Sequence, residues 1–129
     1  MNSIIGLWLF SSMLYNNSPL PIPNPDLIMT FEFSEDGTDT LFYKRKGETG
    51  SCSRKAFYQF ENGHLYQRVY WVNPSNAIWC DSDTDMRIGT EGTNTASINA
   101  KGELQLDLMM GEEVVTLIWQ KKNEPVITE

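Results

Sequence analysis

The residues able to do chemistry are few. The chain has one histidine, His64, and two cysteines, Cys52 and Cys80. His64 directly follows Asn62-Gly63, a turn signal, so it is expected at an exposed strand end. A nucleophile–histidine relay needs a base that a third group orients, and a metal-ligand cluster needs several such side chains. A lone histidine at a turn supplies neither. The cysteines belong to no Cys-x-x-Cys and have no histidine partners, which argues against zinc. They read as a disulfide, Cys52–Cys80, with two buried thiols as the alternative. Asp81-x-Asp83-x-Asp85 has a spacing that can surround calcium. An EF-hand then requires glycine and glutamate where this chain has Met86 and Gly92. A solvated acidic loop is expected, with a weak extracellular-type calcium site as the alternative. Glu35-Asp36 and Glu112-Glu113 fall in turns. No glycine-rich phosphate loop precedes a helix. Catalytic residues, metal ligands and cofactors are therefore not expected, and the protein reads as a non-enzyme.

What remains is a concentration of aromatic side chains with cations among them. Tyr58, Phe60, Tyr66, Tyr70, Trp71 and Trp79 crowd the stretch from Ser51 to Cys80, together with Arg54 and Arg68. Polar groups set among aromatics on an inward face suit a ligand cavity. On an outward face they suit an interaction patch.

The elements that must position these residues are short strands. Asn62-Gly63 between two runs rich in aromatic and β-branched residues is a strong hairpin signal, because both residues tolerate φ > 0. It predicts strands over Cys52 to Phe60 and His64 to Val72. Leu27 to Phe33 alternates, with Leu27, Met29, Phe31 and Phe33 on one face. Glu35-Asp36-Gly37 turns it into Thr38 to Lys46. Thr93 to Asn99, Glu103 to Met110 and Glu113 to Lys122 follow, and Met86 to Gly89 reads as a short strand. Ile4 to Phe10 is a first strand, with a short helical turn expected over Ser11 to Ser18. Alternate prolines from Pro19 to Pro25 predict an extended connector over residues 18–26. The tail 123–129 is expected to fray. The whole, 1–129, is a single domain. Sequential hairpins with almost no helix predict an all-β fold, an antiparallel up-and-down β-barrel of about eight strands, since closure removes the sheet edges.

The two ends of the chain carry a resemblance. Gly6-Leu7-Trp8 resembles the Gly-x-Trp of the first strand in lipocalins and the wider calycin superfamily. Val115-Thr116-Leu117-Ile118-Trp119-Gln120-Lys121-Lys122 is similar to their last barrel strand, which ends in a basic residue. Phe33-Ser34-Glu35-Asp36-Gly37-Thr38 is similar to the Asp-Gly-Thr hairpin of small bacterial lipocalin-like domains. The resemblance implies that Gly6, Trp8, Lys121 and Lys122 are structural, with Trp8 packed against a basic side chain across a closed barrel end. The chain is shorter than a full lipocalin, lacks a long C-terminal helix, and has lysine where the family has arginine.

Two functions stay open at this stage. The first is a binding protein holding a small apolar, amphipathic or fatty-acid-like ligand. Parity then places Met29, Phe31, Phe42, Tyr58, Tyr70 or Trp71, and Leu106 or Leu108 on the wall, with Arg54 or Arg68 as the polar anchor. An inward arginine needs a carboxylate from the protein or an anionic group from the ligand. The second is a protein-interaction barrel, an inhibitor or accessory subunit, with a filled interior and a working surface at the central hairpin.

Composition sets the remaining expectations. A formal charge of −7 repels phosphate backbones, so nucleic acid is not an expected partner, and it favours a monomer. The apolar run Ile4 to Leu14 is too short to span a bilayer and lacks the basic start and cleavage site of a signal peptide, so no transmembrane segment is expected. A disulfide implies an oxidising compartment. The expectation is thus a periplasmic, outer-membrane-anchored or secreted bacterial protein whose export signal has been removed, with the cytoplasm as the remaining alternative.

Overall fold

The computed structural model describes residues 4–21 and 27–122. Alternation and turn chemistry organise them into nine strands: β1 (Gly6–Tyr15), β2 (Ser18–Leu20), β3 (Leu27–Phe33), β4 (Thr38–Arg45), β5 (Cys52–Glu61), β6 (His64–Val72), β7 (Glu91–Ile98), β8 (Leu104–Met110) and β9 (Glu113–Lys122). From β3 to β9 each strand pairs antiparallel with the next, and β1 pairs with both β3 and β9. Eight strands thus close an up-and-down barrel, and β2 is a short extra strand on β1. The Asn62-Gly63 hairpin forms as its sequence requires, with φ 53° and 77° and Glu61 opposite His64.

The first strand departs from expectation. It runs on to Tyr15, and the Ser11–Ser18 stretch is strand and hairpin where a helical turn was expected. Asn16 and Asn17 both take positive φ, 47° and 71°, the geometry of a two-residue hairpin turn. The lower half of β1, Gly6–Leu9, pairs with β3, while Met13–Tyr15 pairs with Ser18–Leu20. The extended connector therefore begins as a strand. Pro19 is tolerated there because β2 is an edge. The rest of the connector, residues 22–26, and the tail 123–129 lie outside the described residues. Met86 to Gly89 is not a strand. A 3-10 turn forms over Thr84–Met86, started by the Asp83 carboxylate accepting from Asp85 N–H at 2.9 Å.

One end of the barrel is packed solid. Trp8, Phe33, Leu65, Ala96, Leu104 and Trp119 are almost fully buried. Phe31 stacks on Phe33 at 4.7 Å between centroids and leans on Trp119 at 5.2 Å. Trp8 Nε1 donates to the Ile4 carbonyl at 2.9 Å. Outside it, Lys121 sits opposite Trp8 in register, with Nζ 5.5 Å from the ring. Gly6 makes this approach feasible. Its φ is +134°, and a Cβ there would stand 2.8 Å from Lys121 Cε. Lys122 pairs with Leu7.

The other end carries a long excursion between β6 and β7, with 3-10 turns over Ile78–Ser82 and Thr84–Met86. The Cys52–Cys80 disulfide ties it to the start of β5. Asn76 reinforces this, accepting from Ser53 N–H at 2.8 Å and donating to Ser53 O at 3.1 Å. Tyr43 O–H donates to Asp83 at 2.5 Å. Met86 is the apolar plug of the segment, buried in the core cluster. A formed disulfide fits an oxidising environment. Among the described residues no helix is long and apolar enough to cross a membrane.

Candidate functional site

The inward faces are set by one alternation per strand. On β4 the buried residues are Asp39, Leu41 and Tyr43; on β5 they are Cys52, Arg54 and Ala56. Phe31, Leu41 and Arg54 lie in one register row across β3, β4 and β5. Arginine therefore occupies an inward position, 3% exposed, beside an aspartate that is 0% exposed. Burying either charge alone costs several kcal/mol, so each requires the other. Arg54 Nη1 donates to Asp39 Oδ1, and Gln67 Nε2 donates to Asp39 Oδ2 at 2.8 Å. The Arg54 guanidinium also lies 5.4 Å from the centroid of Phe31. Burial pushes the Asp39 pKa up, opposed by the Arg54 charge and the two hydrogen bonds.

Above the packed end the side chains do not fill the barrel. A cavity of about 280 Å³ remains, lined by Met29, Phe31, Leu41, Leu106, Leu108, Leu117 and Trp119 together with Arg54, Gln67, Asn94 and Asp85. Its volume equals roughly nine waters at ~30 Å³ each and lies at the lower edge of small-molecule sites, about 300–1,000 Å³. The apolar wall comes from β3, β4, β8 and β9, and the polar groups from β5, β6, β7 and the tethered excursion. A smaller recess of about 90 Å³ adjoins it, sharing the four polar residues and adding Val69, Thr90, Glu91 and Gly92. Asp85 stands exposed at the rim. The packed excursion around it and the Asp83 carboxylate raise its pKa, against the pull of Arg54.

Of the residues expected on the wall, five come together in this cavity: Met29, Phe31, Arg54, Leu106 and Leu108. Tyr58 points inward but belongs to the packed end, edge-on to Phe33 at 5.0 Å, with its O–H donating to Ser34 O at 2.8 Å. Phe42 lies on the opposite face of β4 from Leu41 and Tyr43. Arg68, Tyr70 and Trp71 are exposed on β6. A register shift between Lys55 and Ala56 places Trp71 opposite Lys55, which turns the tryptophan outward, with Lys55 Nζ 5.4 Å from its ring. Tyr70 stacks on the half-exposed Phe57 at 4.3 Å. The wall residues that parity did not single out are Leu41, Gln67, Asp85, Asn94, Leu117 and Trp119. An acid two positions before Leu41, on the buried face of β4, is the signal that could have identified Asp39 as the partner of Arg54.

The other candidate groups stay apart. His64 is exposed, with Nδ1 3.0 Å from Asn62 O. Asp83 is occupied by Tyr43 and by its own turn, and the Asp81 carbonyl accepts from Arg87 at 2.8 Å. Among the described residues no cluster of His, Cys, Asp and Glu could hold a metal ion.

No protein-family profile and no curated protein matches this chain. Its architecture does have solved counterparts. The crystal structure of a lipocalin-like protein from Bacteroides uniformis superposes with a TM-score of 0.61 over 92% of this chain and 98% of that one, at 15% sequence identity. The shared fold is a lipocalin-like barrel.

Proposed function

We propose that this lipocalin-like barrel is a non-enzymatic, monomeric binding protein of an oxidising compartment, periplasmic or secreted, that holds a small, largely apolar ligand. The observation that carries this reading is the cavity. Seven apolar or aromatic side chains line one side of a space of about 280 Å³, and polar groups gather on the other. A barrel selected only for stability gains from filling such a space, because each buried void forfeits packing contacts. The mixed lining gives a ligand both apolar burial and a fixed orientation.

Calorimetric titration with n-octanol, a neutral chain of fitting size, tests the reading. The expected result is saturable binding that Leu106→Trp weakens at least tenfold, since the indole occupies the cavity. Phe57→Ser, on the outer face, leaves the affinity unchanged. Circular dichroism checks that Leu106→Trp is folded, because overpacking costs about 1–3 kcal/mol. Absence of binding would refute a ligand of this class.

A second reading has its own observation. Phe57, Tyr70 and Trp71 are exposed on neighbouring strands with Lys55 and Arg68 beside them. Aromatic and cationic residues together suit a protein interface. Octanol binding lost in Phe57→Ser and retained in Leu106→Trp would favour that outer face.

A further inference from the structure

The charges around the cavity say which polar end the ligand carries. This inference rests on the binding function proposed above and sharpens it. Arg54 is the only cation among the described residues of the lining, and its charge is already met by the buried Asp39 carboxylate. Its Nε is buried without a partner, as is Trp119 Nε1. Neither atom has surface facing the free volume, so a ligand in the cavity does not reach them. Asp85 then adds a carboxylate that makes no ion pair among the described residues, whereas Glu91, opposite Arg68 and bonded to the Tyr66 hydroxyl at 2.7 Å, turns to the outer face. Arg54, Asp39 and Asp85 together leave the polar side negative. The whole chain, at −7, adds to the attraction for cations.

The unused hydrogen-bonding atoms accommodate a cationic end. Gln67 gives one of its two amide N–H groups to Asp39 and keeps its oxygen as an acceptor. Asn94 and Asp85 make no side-chain hydrogen bond among the described residues; the Asn94 amide offers both donors and an acceptor, and Asp85 adds two acceptor oxygens to the same lining. An ammonium offers three donors and no acceptor. A carboxylate offers only acceptors, and here it would meet a neutralised arginine and an unpaired aspartate.

We propose that the cavity binds an apolar molecule bearing a protonated amine, with the amine at the Asp85–Gln67–Asn94 side and the chain against Met29, Leu106, Leu108 and Trp119. The fatty-acid form of the ligand, in which Arg54 anchors a carboxylate, is thereby disfavoured: Asp39 takes that place.

The test compares n-octylamine, n-octanol and octanoate by calorimetry near neutral pH, on the native protein and on Asp85→Asn. Octylamine is expected to bind at least tenfold more tightly than octanoate, with octanol between them. Asp85→Asn lowers the octylamine affinity about tenfold and leaves octanol unchanged. If octanol binds and octylamine binds no better than octanoate, the amine inference fails while the cavity reading stands. If none of the three binds, both fail. Equal loss of octylamine and octanol in Asp85→Asn would also overturn the inference, because it would show a structural role for Asp85.

Discussion

Asp39→Asn removes one charge from the pair inside the barrel and keeps the shape of the side chain. The amide oxygen can still accept from Gln67, but the NH2 then faces Arg54, so the loss combines the charge with the Arg54 hydrogen bond. Arg54 would then keep its guanidinium at 4% side-chain exposure without its paired anion. Breaking a buried pair in this way costs about 3–5 kcal/mol. One side of Arg54 borders the cavity, where water offers partial solvation, so the lower end, ~3 kcal/mol, is expected. With an unfolding entropy of about 2.1 cal/mol/K per residue, a chain of 129 residues loses about 11 °C in Tm. Urea denaturation of Asp39→Asn, Arg54→Met and the double variant completes a double-mutant cycle. The double variant should be more stable than Asp39→Asn, since it no longer buries an unpaired charge. A loss below ~1 kcal/mol for Asp39→Asn, or a double variant as unstable as the two single losses added, would refute the coupling.

Two further outcomes follow from the excursion between β6 and β7. The denatured, unreduced protein should show no free thiol, and Cys52→Ala with Cys80→Ala should lose about 3.6 kcal/mol on the chain-entropy account for a 28-residue separation, measured by denaturant midpoint. Burial and the Asp83 carboxylate raise the Tyr43 pKa above its ordinary 10, so the unfolded chain ionises first. Between the two values the unfolded state binds fewer protons, and stability falls as pH rises above about 10. Tyr43→Phe should flatten that part of a plot of urea midpoint against pH; an unchanged slope would show that other groups set it.

Much of the barrel was legible because local signals agree with the global fold. Leu27 to Phe33 and Glu103 to Met110 each show one apolar face, and the Asn62-Gly63 turn fixes a register that the pairing of Glu61 with His64 reproduces. Gly6, Trp8 and Lys121 meet at the packed end. The extra length of β1 was less legible, because Ser11 to Tyr15 has no alternation of its own and gains its strand geometry from β9. The wall of the cavity was half legible. On β3 and β8 parity is unambiguous. On β5 and β6 both faces mix aromatic and polar residues, so the direction of each side chain was decided by what it meets. Asp39 draws Arg54 inward, and the register shift near Lys55 turns Trp71 outward. Asp85 could not be placed from its own neighbourhood, since contacts remote in sequence bring its loop to the barrel mouth: the disulfide at Cys80, the Tyr43–Asp83 hydrogen bond and the packing of Met86.

The pairing of β1 with β9 also governs the order of events when the chain folds. Hairpins from β3 to β9 can form between near neighbours, on the microsecond scale typical of such units. The last seam cannot, because Leu7 must find Lys122 across almost the whole chain. The entropy of closing so long a loop is lost before any contact repays it, so the search for this seam, and no individual hairpin, sets the folding time. During synthesis the first strand must wait for the last one to leave the ribosome. Until then the edge of β1 that faces β9 stays unpaired, although β2 and β3 can already pair with its other side, and that open edge is a definite segment for a holding chaperone to protect.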